Sequence, residues 1–464
     1  MRRQPPTIVV AGAGFSGVSV AAHLARLPWR SGLRIVLLER NDAPARGVAY
    51  STPSRLHLLN VPAGRMGAFD DDEGHFLRWL RLSDPSLSGN AFIPRIRYGE
   101  YLASILHGLE TGAPPGVHVE VRRGEACDIE PAGRGLRVHL ASNSPIDADR
   151  VVLATGTPTP PRSEVGDALR NDARYVHDPW ASGALSRVRS RQPILLVGTG
   201  LTMVDVVLAL RESGHRAGFL AVSRRGLLPQ PHRDWPLPPP VVQPPAGLST
   251  WNGSASALLA LIHDSVRHAT LGGLDWRDVI NGLRPLTPSL WQRMPARERE
   301  RFLRHVRPFW DTHRHRMSTR IAAEINAMIF RGELSVLAGR IESCRAATDS
   351  VEFGIRRRGQ PVATSHRAGA VINCTGPESD YARVDEPLFG ALRARGLVTP
   401  DPLRLGIVTD EQGALIDARG AASPVLFTLG NPRKAGLWES TAVPELRSQA
   451  ARLAAHLQVS LDPG

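Results

Sequence analysis

The sequence is almost without lysine. Of its 57 basic residues, Lys434 is the only lysine and the rest are arginine. A surface dedicated to nucleic acid usually mixes both cations in clusters with aromatics, whereas here arginine is spread over the whole 464-residue chain. The net charge of +13 is therefore read as a bias toward arginine, with some residues recruited to bind phosphate, and no nucleic-acid partner is expected. Cysteine is scarce too. Cys127, Cys344 and Cys374 stand far apart without a CxxC pair. That excludes a local zinc site and a redox-active dithiol, and it suits a reducing cytoplasm. No apolar run approaches the roughly 18 residues that span a bilayer, so no membrane segment is expected. Met1-Arg2-Arg3 and the apolar stretch after it imitate a signal peptide, but a glycine fingerprint interrupts the stretch and secretion is not expected. No Ser/His/Asp order, P-loop or metal-ligand spacing occurs, and no metal is expected.

What is present is an ordinary globular composition, 42% hydrophobic and 22% charged, with enough chain for several domains. Thr7–Ala11 reads as a buried parallel strand. It runs into Gly12-Ala13-Gly14-Phe15-Ser16-Gly17, a helical pattern to Leu27, and a second apolar run, Leu33–Leu38, that ends in Glu39. In this strand–GxGxxG–helix–strand–acid unit Gly12 permits the tight turn and Gly14 lets the backbone approach a pyrophosphate. Gly17 lets helix and strand pack closely, and Glu39 accepts from ribose hydroxyls. The unit suits FAD or NAD equally.

A second unit follows. Pro193–Val197 leads into Gly198-Thr199-Gly200-Leu201-Thr202-Met203 and a helix, with methionine where a third glycine is usual. The next strand ends in Ser223-Arg224-Arg225-Gly226, where arginines in place of an acid suit the 2′-phosphate of NADP. Val151–Gly156 and Val371–Gly376 are two strands ending in Thr-Gly, one before and one after this unit. They bracket it as expected for an NAD(P) domain inserted into an FAD domain. A late strand, Val425–Leu429, ends in Gly430, and a helix from about Pro444 to Leu457 would point its N-terminus at a flavin.

With these units in place, the chain resembles a bacterial family of FAD/NAD(P)-binding oxidoreductases akin to single-component flavoprotein monooxygenases. The residues that carry the resemblance are the first loop, Gly47–Ser51, His57–Ala63 with Met66-Gly67, Ser223–Leu228, Arg307–Arg316 and Leu437–Glu445. It implies an α/β fold of two Rossmann-type dinucleotide-binding domains, the NAD(P) domain inserted in the FAD domain, with a helical insert. It implies a monooxygenase working through a C4a-(hydro)peroxyflavin, with FAD as cofactor, NADH or NADPH as reductant, and molecular oxygen and a small nitrogen-containing molecule as partners. Members include a urate hydroxylase and an amino-acid N-hydroxylase. Urate hydroxylation to 5-hydroxyisourate is the first expectation, an amino-acid or amine N-hydroxylase an alternative, and an NAD(P)H-linked flavin reductase or dehydrogenase with another acceptor a further one.

The expected division is 1–160 and 345–464 for the FAD domain, 161–240 for the NAD(P) domain and 241–344 for a helical insert. Expected cofactor contacts are Gly12, Gly14, Ser16, Gly17, Glu39, Arg40, Tyr50, His57, Asn60, Thr155 and Gly156 in the first domain, Gly198, Gly200, Arg224 and Arg225 in the second, and Gly430, Gly436, Trp438 and Glu439 near the C-terminus. The isoalloxazine is expected against Gly47–Ser51 and His57–Ala63. Candidate catalytic residues are Asn60, His232, Asp311 and His313. His232 sits in a proline-rich extended arm (residues 228–245), and Asp311 and His315 stand one helical turn apart, where they could meet.

Overall fold

The computed structural model of the protein describes residues 4–188, 191–233 and 243–462. Thr7–Ala11 (β1) and Leu33–Glu39 (β2) flank the helix Phe15–Arg26, and Val117–Arg123 (β3) follows. Ala126–Ala132 (β4), Gly135–Leu140 (β5) and Ile146–Ala148 (β6) make a separate antiparallel sheet, and Arg150–Leu153 (β7) returns beside β1. The chain then leaves to build a second sheet. Its strands are Tyr175–Val176 (β8), Ile194–Val197 (β9), Phe219–Ser223 (β10), Leu334–Ala346 (β11), Val351–Arg357 (β12), Thr364–Ala368 (β13) and Ala370–Asn373 (β14). Ala414–Ile416 (β15) and Ala422–Thr428 (β16) come back to the first. The sheet orders are β15-β16-β7-β1-β2-β3 and β13-β12-β11-β10-β9-β14-β8.

The apolar runs explain the layers. Ile8, Val9 and Val10 are all fully buried, because both faces of β1 are covered. Ile8 and Val10 face Val18, Leu24 and Leu453 of the helices Phe15–Arg26 and Val443–Leu461, while Val9 and Ala11 face Ile129 and Val138 of the small antiparallel sheet. In the second sheet Ile194 and Leu196 pack on the helices Leu201–Glu212 and Thr319–Phe330, and Leu195 faces Val351 and Phe353. Each such side chain contributes about 1.5–3 kcal/mol by burial.

The boundary expected at residue 345 moves. Strands β11 to β14 complete the second sheet, with β14 paired to β9 (Val371 with Leu195), so the chain rejoins the first sheet only after Gly376-Pro377. The two Thr-Gly segments are thus equivalent features, β7 beside β1 and β14 beside β9. The chain crosses between the sheets just after each.

Helices with short breaks occupy most of 255–314, as expected for the helical insert, and include Thr287–Arg293. A π-helical stretch, Phe302–Val306, lies just ahead of Pro308, which has no N–H to donate to the carbonyl one turn back. A new helix starts at Thr319, where the Ser318 side chain accepts the amide of Ile321 at 3.3 Å. The core of these helices, around Trp251, Val279, Trp291 and Phe302, takes in Leu405, Ala435 and Trp438, so the insert sits on the first domain. Of the proline-rich arm, 234–242 lie outside the described residues. Before them, Gln230 and His232 pair by backbone hydrogen bonds with Thr312 and Met317 (2.8–3.1 Å). No described helix is long and apolar enough to cross a membrane.

Candidate active site

The first cleft is built by the turn after β1. Gly12 has φ of 112°, and a Cβ there would stand 2.3 Å from the Ala154 carbonyl oxygen. A Cβ on Gly17 would stand 1.9 Å from the carbonyl oxygen of Gly12. Only glycine lets helix, turn and β7 approach this closely. The helix Phe15–Arg26 begins without a side-chain cap, leaving its first amides to a ligand in the cleft. Glu39 ends β2 only 7% exposed; its Oε1 accepts from the backbone N and Nδ2 of Asn41, both at 2.9 Å. Arg40 pairs with Glu125 at 3.3 Å on the same wall.

Gly12, Gly14, Ser16, Glu39, Arg40, Tyr50, Thr155 and Gly156 all line this one cleft. Gly17 stands behind it, and Gly430 lies between the lining residues Leu429 and Asn431. Burial pushes the Tyr50 phenol up, so it stays protonated. The pattern did not single out Arg46, Glu386, Asn431, Ser440 or Thr441, which line it as well. Asn431 follows Gly430 directly, and Ser440 and Thr441 lie inside the segment that carried the resemblance, so the only signal was adjacency. A glycine cradle that a Cβ would fill, a ribose-side carboxylate and free helix amides fit an adenine dinucleotide such as FAD.

The second turn repeats the first. Gly198 has φ of 119°, and its Cβ would meet the Cys374 carbonyl oxygen at 2.4 Å. Gly200 is the uncapped start of the helix Leu201–Glu212, and Met203 is fully buried where a third glycine would pack. The Thr199 hydroxyl donates to the Leu227 carbonyl at 2.6 Å and lies 2.9 Å from the Ser223 hydroxyl, tying the turn to the loop after β10. On that loop Arg224 is exposed, while Arg225 lies over the Phe309 ring at 5.1 Å.

Several expected contacts fall elsewhere. His57 is 1% exposed and away from the cleft. Its Nδ1 accepts from the Thr52 hydroxyl at 2.7 Å and its Nε2 donates to the Asp205 carbonyl at 2.8 Å, so it ties the domains together beside the Arg95–Asp205 ion pair at 2.8 Å. Asn60 and His232 do meet: His232 Nε2 donates to the Asn60 carbonyl at 2.9 Å, outside the cleft lining. Burial, with Arg316, Arg277 and Arg314 nearby, pushes the His232 imidazole down to about 3 and keeps it neutral. Asp311 does not reach the His315 ring; its carboxylate accepts from Arg307 at 3.3 Å. His313 Nδ1 donates to the Phe309 carbonyl at 2.8 Å, back-bonding to its own helix.

Trp438 is 4% exposed and stacks on Trp291 with ring centroids 4.8 Å apart, packing the insert onto the first domain. Glu439 accepts from Trp310 Nε1 at 3.1 Å and pairs with Arg314 at 3.1 Å, while Arg284 binds Glu445 at 2.6 Å. This buried network borders a second, wider cleft between insert and first domain, which Gly436 and Glu439 line. Trp438, Glu439 and Gly436 therefore do not line the first cleft. Their local pattern was right for a loop before a helix, but long-range packing turned the loop's side chains the other way.

Paired cradles of this kind define a flavoprotein fold with two dinucleotide-binding domains. Residues 9–158 match the family model described as FAD-NAD(P)-binding. The reduced form of ornithine hydroxylase from Pseudomonas aeruginosa covers 99% of this chain and 100% of its own, with a TM-score of 0.68 at 17% identity. Ornithine N-hydroxylase of Kutzneria sp. 744, with reduced FAD, NADP+ and L-ornithine, covers 98% and 99%, with a TM-score of 0.66 at 13% identity. The cadaverine monooxygenase of desferrioxamine biosynthesis from Erwinia amylovora covers 99% and 96%, with a TM-score of 0.64 at 14% identity. Among curated proteins, an uncharacterized protein of Mycobacterium tuberculosis is 24% identical over 93% of this chain and 90% of its own length. The chain has the fold of FAD-dependent, NAD(P)H-consuming monooxygenases, and its resemblance to the single-component class holds at that level.

Proposed function

We propose that this protein is an FAD-dependent, NADPH-consuming monooxygenase that hydroxylates the nitrogen of a small amine. The observation that carries it is the pair of glycine cradles joined by β7 and β14 in a fold that matches amine hydroxylases end to end. Urate, the first substrate expected, has no support from these relatives, whose names specify ornithine and cadaverine; the amine alternative fits better.

One amine, O2, NADPH and a proton would give one hydroxylamine, water and NADP+. Bound FAD supplies the oxygen-activating chemistry. The protein's own groups hold and shield. Glu39 takes ribose hydroxyls, the amides after Gly14 take the pyrophosphate, and exposed Arg224 meets the 2′-phosphate of NADPH. The insert covers the first domain and limits water, and the hydrogen bond from neutral His232 to Asn60 positions the arm beside it. Asp311 pairs with Arg307 and His313 bonds to its own helix, so neither is given a step in this reading.

The test is NADPH oxidation by FAD-loaded protein with ornithine, lysine and cadaverine, with hydroxylamine and hydrogen peroxide measured together. Stimulated oxidation with hydroxylamine formed is expected from at least one. Peroxide accounting for all NADPH consumed, with every amine, would overturn the proposal.

A further inference from the structure

Arg316 is a buried cation with no counter-ion. It is 4% exposed and makes no ion pair with a described residue. The acids beside it, Asp275 and Asp278, are already engaged. Asp275 pairs with Arg233 and Arg277, both at 2.9 Å, and Asp278 pairs with Arg233 at 3.3 Å. Arg314, the other neighbouring cation, is matched by Glu439 and Glu445. Three guanidiniums thus share two carboxylates, and the surplus charge rests on the most buried of the three. A charge held out of water without a partner is costly. Burial, with Arg314 and Arg277 nearby, pushes the Arg316 guanidinium down to about 10.

The guanidinium is short of acceptors as well. Nε is enclosed without a partner, Nη2 donates to the Asn281 side-chain oxygen at 2.5 Å, and Nη1 has no partner among the described residues and is not enclosed. Asn281 is exposed and lines the second cleft. Its Oδ1 is taken by Arg316, so its Nδ2 is left to donate into that cleft. Arg316 Nη1 and Asn281 Nδ2 are therefore two open donors on adjacent groups, a match for the two oxygens of one carboxylate. The surplus is a single charge, which suits a carboxylate better than a phosphate dianion. We infer that Arg316 and Asn281 form a carboxylate-binding site at the edge of the second cleft, outside the first. Its ligand is a small monocarboxylate, either the carboxylate end of an amine substrate or a separate carboxylic acid.

The test titrates lysine, cadaverine, hexanoate and inorganic phosphate into the purified protein by calorimetry, without NADPH. Cadaverine is lysine without its carboxylate, and it is expected to bind at least about tenfold more weakly than lysine. Hexanoate binding as well as lysine would make the ligand a separate acid, whereas lysine binding alone would make the carboxylate part of the substrate. Arg316→Gln is expected to weaken the bound carboxylate about tenfold. Without ligand it should melt no lower than wild type, because it removes an uncompensated charge. Asn281→Ala, at an exposed position, is expected to weaken binding about threefold with unfolding unchanged. Equal binding of lysine and cadaverine, phosphate bound as tightly as either carboxylate, or no carboxylate bound would overturn the inference. So would unchanged affinity in both variants, or a lower melting point for ligand-free Arg316→Gln. None of these readouts needs turnover, so protein that binds carboxylate but hydroxylates nothing would overturn the hydroxylase reading and keep the site.

Discussion

At Gly17 a single methyl group has nowhere to go. Its nearest neighbour, the Gly12 carbonyl oxygen at 1.9 Å, is backbone and cannot give way cheaply. Gly17→Ala is expected to destabilise the protein by about 1–3 kcal/mol or more and to abolish FAD binding. Gly108, in the exposed face of the helix Arg95–Gly112 with nothing within 4 Å, is the control. There alanine should stabilise by up to about 1 kcal/mol. Urea unfolding of the two variants checks both signs. His232 offers a second test at this scale. Its folded value is about 3 against a usual 6.5, so between those values the unfolded chain takes up a proton that the folded one refuses. This group's contribution is therefore fully present above pH 6.5 and is lost as pH falls toward 3, by about 1.4 kcal/mol per pH unit. Wild-type stability should fall more steeply across that window than that of His232→Gln, as read from denaturant midpoints at each pH. Parallel curves would mean that His232 is not neutral in the fold.

The loop after β10 separates two arginines that the sequence treats alike. Arg225 is engaged with Phe309 of the insert, whereas Arg224 is exposed at the strand end. Arg224→Ala is expected to lower the NADPH-to-NADH ratio of kcat/KM about tenfold, the loss of one charge-assisted contact to phosphate. Initial rates with both coenzymes read it, and an unchanged ratio would remove Arg224 from the 2′-phosphate. At the same scale the arginines of 307–316 divide. Arg307 makes a half-exposed pair with Asp311, while Arg314, 9% exposed, is bound into the Glu439–Glu445 network. Arginine excess on the outside and built ion pairs inside thus coexist on one short helix.

In the whole molecule, the two sheets have separate apolar cores, and the insert's core is continuous with the first domain through Leu405, Ala435 and Trp438. A ligand that binds only the first cleft stabilises only what unfolds with it. FAD at about a hundred times its Kd should add ~2.7 kcal/mol there and split the calorimetric unfolding into a raised and an unmoved transition. A single transition moving as one would show that the His57–Asp205 tie and the Arg95–Asp205 pair couple the domains completely.

The sequence by itself determined both glycine turns, the strands feeding them, Glu39 at the end of β2 and the twofold α/β plan. Each of these is specified by a few residue types at fixed short spacing, where only glycine tolerates the backbone and only buried strands read as continuous apolar runs. Tertiary structure alone decided the rest. It placed β11 to β14 in the second sheet, turned Trp438 and Glu439 into the insert's contacts, used His57 as a tie between domains, and brought Asn431 and Ser440 to the lining of the first cleft. Those outcomes depend on how segments hundreds of residues apart pack against one another, and no local spacing encodes that.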